Sequence, residues 1–339
     1  MSAGYHHGYQ QPRRPMPPQR PMRKKRRPGR VILVLLLVLV LGTVGFGFYV
    51  DSTLTRINAL PDYEGRPAET PGTTWLLVGS DAREGLTQEQ KDALATGDAA
   101  GRRTDTIMML HLPDNSAAKP VLLSIPRDSY VSIPQNGRNK VNAAYAFGGP
   151  QMLVQTVEGA TGVRIDHYME IGFGGFSDMV DAVGGVDICL DQPIKDPLAG
   201  IDLPAGCQEL DGPQALGFVR TRAFATADLQ RVQNQRKFLS ALFEKVKSPA
   251  TLANPFRVIP LMNAASGSVS VNEDDHVWHL ASVALNMSDA TSGTVPVGGT
   301  PTVPGAGSVV QWNKEKASQL FDLISKDQPV PAELIAPPK

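Results

Sequence analysis

Trp75-Leu76-Leu77-Val78-Gly79-Ser80-Asp81 is the stretch that decides the fold. Its four apolar residues, stopped by Gly79, read as a short buried strand, and Asp81 places a carboxylate where that strand hands over to a loop. Working outward, Thr106 to Leu112 and Val121 to Ile125 read as two further buried strands joined by the turn at Pro113-Asp114-Asn115. Gly149 to Gly162 predicts a helix with Met152, Leu153, Val157 and Ala160 on one side and Gly162 as its stop. Ile165 to Ile171 predicts a strand and Phe176 to Val183 a helix, closed by Gly184-Gly185 before the strand Val186 to Leu190. A short helix is expected around Gln88 to Leu94, and another, amphipathic, from Lys314 to Ile324. Strands alternating with helices predict an α/β fold, an α+β sandwich in which helices flank a mixed central β-sheet.

The strongest helical pattern runs from Asp228 to Lys247. At 100° per residue, Val232, Phe238, Leu239, Leu242, Phe243 and Val246 fall on one arc. Arg231 and Gln235 fall inside that arc near the helix start, so they need internal partners or a polar cleft. Arg236 falls off it.

The chain has 339 residues and a formal net charge of zero, an average that conceals an asymmetry. Residues 1–30 carry nine Lys/Arg and no acid, which leaves 24 basic against 33 acidic residues in the remainder. An acidic folded part argues against nucleic-acid binding. Val31 to Val50 is apolar and uncharged, long enough to cross a bilayer as a helix. Its basic flank lies N-terminal, which leaves Met1 in the cytoplasm and everything after Asp51 outside the cell membrane. The run exceeds the apolar region of a cleaved signal peptide, so a retained single-pass anchor is expected. The expected organisation is a disordered basic tail (1–30), a transmembrane helix (31–50), an extracellular linker rich in Pro and Gly (51–72), and a folded domain (73–339) with a core at 73–247 and a Gly/Pro/Ser/Thr-rich extension at 287–339. The two cysteines, Cys189 and Cys207, lie outside the membrane on this topology, where a disulfide is permitted and expected.

Four strings gather arginine beside aspartate or beside another arginine near the ends of apolar runs: Arg102-Arg103-Thr104-Asp105-Thr106, Ser124-Ile125-Pro126-Arg127-Asp128, Arg220-Thr221-Arg222, and Asp228 with Arg231. Guanidinium forks grip phosphate oxygens in pairs, and paired carboxylates hold Mg²⁺. Taken singly, each has a plainer reading: Asp81 caps a turn, Asp105 pairs with Arg103, Arg127 pairs with Asp128. Together they suit a polyanionic phosphate substrate. If Leu216 to Arg222 is extended, Arg220 and Arg222 project from one face. The sequence has no GxSxG, HExxH, Walker or dinucleotide fingerprint. His276 and His279, three apart, can share a helix face, but two histidines are ordinarily surface or core residues.

Six strings carry a resemblance across roughly 170 residues: Leu76-Leu77-Val78-Gly79-Ser80-Asp81-Ala82-Arg83, Arg103-Thr104-Asp105-Thr106, Ser124-Ile125-Pro126-Arg127-Asp128, Lys140-Val141-Asn142-Ala143-Ala144-Tyr145, Val183-Gly184-Gly185-Val186, and Val219-Arg220-Thr221-Arg222 leading to Asp228 and Arg231. In order and spacing they resemble the LytR-CpsA-Psr family of membrane-anchored cell-wall enzymes. The resemblance implies transfer of a glycopolymer from a polyprenyl-pyrophosphate carrier onto peptidoglycan through a phosphodiester bond. It implies Asp81 and Asp105 as Mg²⁺ ligands, and Arg103, Arg127, Arg220, Arg222 and Arg231, with Gln235, as the pyrophosphate grip. It also implies an apolar tunnel for the lipid between sheet and helices. Either Asp105 or Asp128 would accept the acceptor's proton. A pyrophosphatase using water at the same site, or a scaffold that binds polyprenyl phosphate without turnover, are the alternatives. One departure stands out: where the family pattern continues with a second arginine, this chain has Asn234.

Overall fold

The computed structural model describes residues 4, 28–81, 86–96, 104–221, 223, 227–248, 262 and 269–335, with the side chains of 28–31, 227–232 and 288 excepted. Helix α1 (Pro28–Thr53) carries the one apolar segment among the described residues that is long enough to cross a membrane, in agreement with the single-pass anchor. The chain divides into two units, Met1–Phe46 and Gly47–Lys339.

The centre of the second unit is a seven-stranded mixed sheet. In chain order the strands are β1 (Thr55–Ile57), β2 (Thr73–Ser80), β3 (Thr104–Leu112), β4 (Val121–Ser124), β7 (His167–Ile171), β12 (Val269–Asn272) and β13 (Thr291–Thr294). Across the sheet they run β1-β12-β7-β2-β3-β4-β13. The decisive stretch, β2, is central: antiparallel to β3 and parallel to β7, with Trp75, Leu76, Leu77 and Val78 all buried. That is why the run is continuously apolar rather than alternating: both faces of the strand are covered.

Side chains alternate between the two layers. Leu76, Val78, Ile107, Met109 and Leu123 face α3 (Val141–Thr161) and α8 (Lys314–Ser325). Trp75, Leu77, Met108, Leu110 and Leu122 face the opposite layer, built by α6 (Ala227–Lys247) and α7 (Val277–Asn286). A third cluster lies under α4 (Phe173–Ala182) and α5 (Gly212–Arg220), where β8 (Val186–Leu190), β9 (Ile194–Asp196), β10 (Ile201–Leu203) and β11 (Gly206–Leu210) pack with Phe238 and Leu242 of α6. The remaining small elements are α2 (Gln88–Ala93) and the hairpin of β5 (Tyr130–Ile133) and β6 (Gly137–Lys140). Cys189 and Cys207 face each other across β8 and β11 and are bonded as a disulfide, as the sequence led us to expect.

Four expectations need correction. Residues 51–72 are not a free linker. Thr55–Ile57 form an edge strand on β12, and Tyr63 and Arg66 donate to the fully buried Glu158 carboxylate at 2.7 and 3.1 Å. Residues 287–335 are not an appendage: Thr291–Thr294 close the other edge of the sheet, and α8 buries Leu320 and Phe321 in the core. Leu216 to Arg220 is helical rather than extended, because Asp211 and Gln214 form a reciprocal capping box with Pro213 in the first turn. The predicted helix at Gly149–Gly162 is longer at its N-terminal end, kinked at Gly148 and Gly149, and stops at Gly162 in a left-handed conformation (φ 71°).

Candidate active site

A cavity of about 360 Å³ opens between the β2/β3/β7 face and helices α4, α5 and α6. Most of its wall is apolar: Leu77, Met108, Met169 and Ile171 from the sheet, Phe173 and Phe176 from α4, Leu216 and Val219 from α5, Phe238, Leu239 and Phe243 from α6, and Met287. Its polar end is made by Ser80, Asp105, Thr106, Asp196, Arg220 and Gln235. An apolar chamber with a polar rim suits an amphiphile, its hydrocarbon against the wall and its polar head at the rim.

The charged rim follows from a defect in the ladder. Gly79 pairs with Thr106, but Ser80 pairs with Thr104, so Asp105 is an extra residue bulged out of β3. A bulge re-aims the side chain it carries. Here it brings Asp105 to the cavity wall, beside the strand end from which Asp81 emerges. Arg127 Nη1 donates to Asp105 Oδ1 at 2.6 Å, and Arg127 Nε lies 3.5 Å from Asp128 Oδ2. Asp128 Oδ1 in turn accepts from Lys140 at 2.9 Å. Neither Arg127 nor Asp128 lines the cavity: Arg127 meets it through Asp105, and Asp128 sits behind Arg127 and orients it.

Arg220, the last residue of α5, donates to the carbonyls of Leu94 (2.9 Å) and Ala95 (3.2 Å), and its guanidinium lies 4.7 Å over the Phe173 ring. Helix α5 reaches that position by close approach: a Cβ on Gly217 would stand 2.1 Å from Ile201 Cγ2 and 2.7 Å from the Ala199 carbonyl. Gln235 is buried on the cavity wall and donates to the Val219 carbonyl at 3.3 Å, so the apolar-arc position found an internal partner. Asn234, in the place of the family arginine, is buried too. Arg236 does not take over the role: it does not line the cavity, and burial lowers its pKa. Arg103 and Arg222 lie outside the described residues, as does the side chain of Arg231, whose backbone is in the first turns of α6.

Asp196 was not singled out by sequence. Its carboxylate takes the Thr221 hydroxyl at 2.7 Å and the amides of Leu198 and Ala199 at 3.0 and 3.2 Å, fixing the loop beside Arg220. No motif marks it; only pairing across the fold does.

Asp81, at the end of β2, and Asp105, on the β3 bulge, carry carboxylates at adjacent strand ends, oxygen donors of the kind Mg²⁺ takes, with Asp105 Oδ1 already paired to Arg127. A separate cluster, His167, Asp275 and His279, places three ligand atoms within 4.8 Å of one another and is able to hold a metal ion.

The profile of the LytR_cpsA_psr family matches residues 55–322. The probable cell wall biosynthesis protein LcpB of Corynebacterium glutamicum is 53% identical over 275 residues, which cover 80% of this chain and 65% of that protein. The polyisoprenyl-teichoic acid–peptidoglycan teichoic acid transferase TagT of Bacillus subtilis is 36% identical over 183 residues, 52% of this chain and 53% of that protein. The chain thus spans between about half and two thirds of the length of these curated relatives. Among solved structures, a LytR-Csp2A-Psr enzyme from Actinomyces oris superposes with a TM-score of 0.63 at 20% identity, covering 80% of this chain and 96% of that one. At that identity the likeness speaks for the fold.

Proposed function

The chain belongs to the LytR-CpsA-Psr family, and from that premise we propose that it is a phosphotransferase that moves a glycopolymer from a polyprenyl-pyrophosphate carrier onto peptidoglycan. The observation that carries this reading is the cavity: an apolar chamber against the sheet whose polar end presents Asp105, paired with Arg127, together with Arg220. Its wall takes the lipid chain. The pyrophosphate then lies at the rim, where Arg127 and Arg220, joined by Arg103, Arg222 and Arg231, bind its oxygens in pairs and offset the charge that develops on the transferring phosphate.

An acceptor hydroxyl on the glycan attacks the phosphorus that bears the sugar. The new P–O bond forms as the bridging P–O bond breaks, and polyprenyl phosphate leaves with the bridging oxygen. Of the two carboxylates on the cavity wall, Asp196 is engaged by Thr221 and the amides of Leu198 and Ala199, and Asp105 takes the hydroxyl proton; Asp128, held between Arg127 and Lys140, is a positioning residue. Asp81 and Asp105 would hold Mg²⁺, which when bound neutralises phosphate charge and polarises the P–O bonds. The substrate is confined to the outer side of the membrane by the N-terminal anchor.

Lipid-linked glycan supplied to the full chain with and without peptidoglycan tests the reading. Release of polyprenyl phosphate that depends on peptidoglycan, with phosphodiester-linked product, is expected. Equal release without acceptor identifies a pyrophosphatase, and tight lipid binding without any release identifies a scaffold; either result overturns the transferase.

A further inference from the structure

His167, Asp275 and His279 come from three separate elements: the first residue of β7, the loop after β12, and the first turn of α7. One oxygen of Asp275, Oδ1, faces both imidazoles. It is hydrogen-bonded to His167 Nδ1 and lies 3.7 Å from His279 Nδ1. The other oxygen, Oδ2, is held by the backbone amides of Tyr168 at 3.1 Å and Asn272 at 3.2 Å. The carboxylate is thus fixed from behind and points its free edge at two nitrogens, the arrangement in which outer-shell bonds orient a metal ligand. Trp75 stacks on the His167 ring at 4.4 Å and limits its rotation. His276 is excluded from the set because its Nδ1 faces Asp51 at 3.0 Å.

We propose that His167, Asp275 and His279 form a zinc site. Two imidazole nitrogens and one carboxylate oxygen are a donor set for Zn²⁺, with a fourth position left for water; a hard ion such as Mg²⁺ prefers oxygen alone. Tetrahedral ligands about 2.0–2.1 Å from zinc are roughly 3.3 Å apart. The three atoms already lie within 4.8 Å of one another; His279 Nδ1 accepts the His276 backbone amide at 3.3 Å as part of the α7 cap, a long bond that the ion would replace as the ring, 32% exposed, turns the remaining distance. The ion takes the place of the proton between His167 and Asp275, which is released.

The site is distinct from the phosphate cavity, which none of the three residues lines. His167 pairs in register with Trp75, five residues before Ser80, about 16 Å along the strand at ~3.3 Å per residue. Its role is to clamp α7 onto the sheet. Leu280 and Val283 of α7 pack with Trp75, Met108, Leu239 and Phe243, and the last three line the cavity, so the clamp braces one cavity wall.

The test uses the full chain in detergent, with His6 and His7 of the N-terminal tail replaced by alanine so that they do not compete for metal. The chelator-stripped protein is titrated with zinc chloride by calorimetry and thermal unfolding. One zinc per chain is expected, with Tm raised by roughly 4–5 °C at about a hundredfold excess over Kd. His279→Ala should lower the metal-free Tm only by the loss of its cap on α7 and lose zinc affinity at least tenfold; His276→Ala should bind as before. Failure of saturable binding, unchanged affinity in His279→Ala, or an equal response to magnesium chloride each overturns the site.

Discussion

Asp105 sits where the β2–β3 register slips, and its ion pair with Arg127 is the smallest unit on which the proposed chemistry depends. Both side chains are partly exposed, at 35% and 19%, so the pair contributes at most about 1 kcal/mol to stability. Arg127→Ala should therefore leave Tm within a few degrees of wild type while it removes turnover. A parallel loss of folding, followed by circular dichroism, would instead make the pair structural. The sequence showed the arginine and the aspartate but not the bulge, because a bulge is a property of two strands in register and not of either strand alone. The same holds for Asp196, which became visible only through Thr221.

A second residue gives a pH test. Asp166 is half-buried; burial raises its carboxyl pKa, although Thr74 N donates to it at 2.8 Å. A carboxyl whose folded pKa is raised binds its proton more tightly in the folded state. Stability therefore falls as pH rises from the unfolded value near 3.9 through the folded value, and the loss persists at neutral pH. Asp166→Asn keeps an oxygen for Thr74 N and removes the charge. Melts between pH 4 and 7 should show a higher Tm for the variant at pH 7, with the gap closing toward pH 4; a constant gap would refute the assignment.

At the scale of elements, pattern and structure agree where periodicity is strong. β2, β3 and β4 are legible as apolar runs, and α6 as a 100° arc, since burial on a sheet face or helix stripe is what those periods record. Several elements escaped, α5 and β1 among them. α5 was missed because four apolar residues before an arginine fit a strand as well as a helix, and the deciding signal was the Asp211/Gln214 capping box upstream. β1 was missed because its surroundings are rich in Pro and Gly, yet Arg66 is fastened to Glu158 of α3 with side-chain exposures of 9% and 0%. Glu158→Ala leaves that guanidinium buried without its carboxylate and should cost about 3–5 kcal/mol in urea unfolding. The β8–β11 hairpin adds a covalent tie whose cysteines are separated by 18 positions. Cys189→Ser with Cys207→Ser should cost about 3 kcal/mol, by the chain-entropy estimate for a loop of that length.

Across the folded unit, the sheet separates two layers with different duties. The α3/α8 layer is filled by a continuous apolar cluster, whereas the α4/α5/α6 side keeps a chamber open against Leu77 and Met108. The chain crosses from one layer to the other after Met287, which lines the chamber, through edge strand β13 to α8. That is why 287–335 belongs to the fold despite a composition that reads as an extension: short strands and turns in Gly/Pro-rich sequence carry little periodic signal. The proposed site residues stand out in the sequence for a different reason. Carboxylates and arginines at strand ends are visible in sequence, but their convergence depends on the sheet order, which no local pattern fixes.

The central claim is that this chamber and its Asp105–Arg127 rim catalyse transfer from a polyprenyl-pyrophosphate carrier. The most direct measurement is Mg²⁺-dependent release of polyprenyl phosphate from lipid-linked glycan in the presence of peptidoglycan, comparing wild type with Arg127→Ala and Asp105→Ala at matched Tm. The account predicts release by the wild type and a loss of at least a hundredfold in each variant, equivalent to about 2.7 kcal/mol of transition-state stabilisation. Wild-type rates in both folded variants would contradict it.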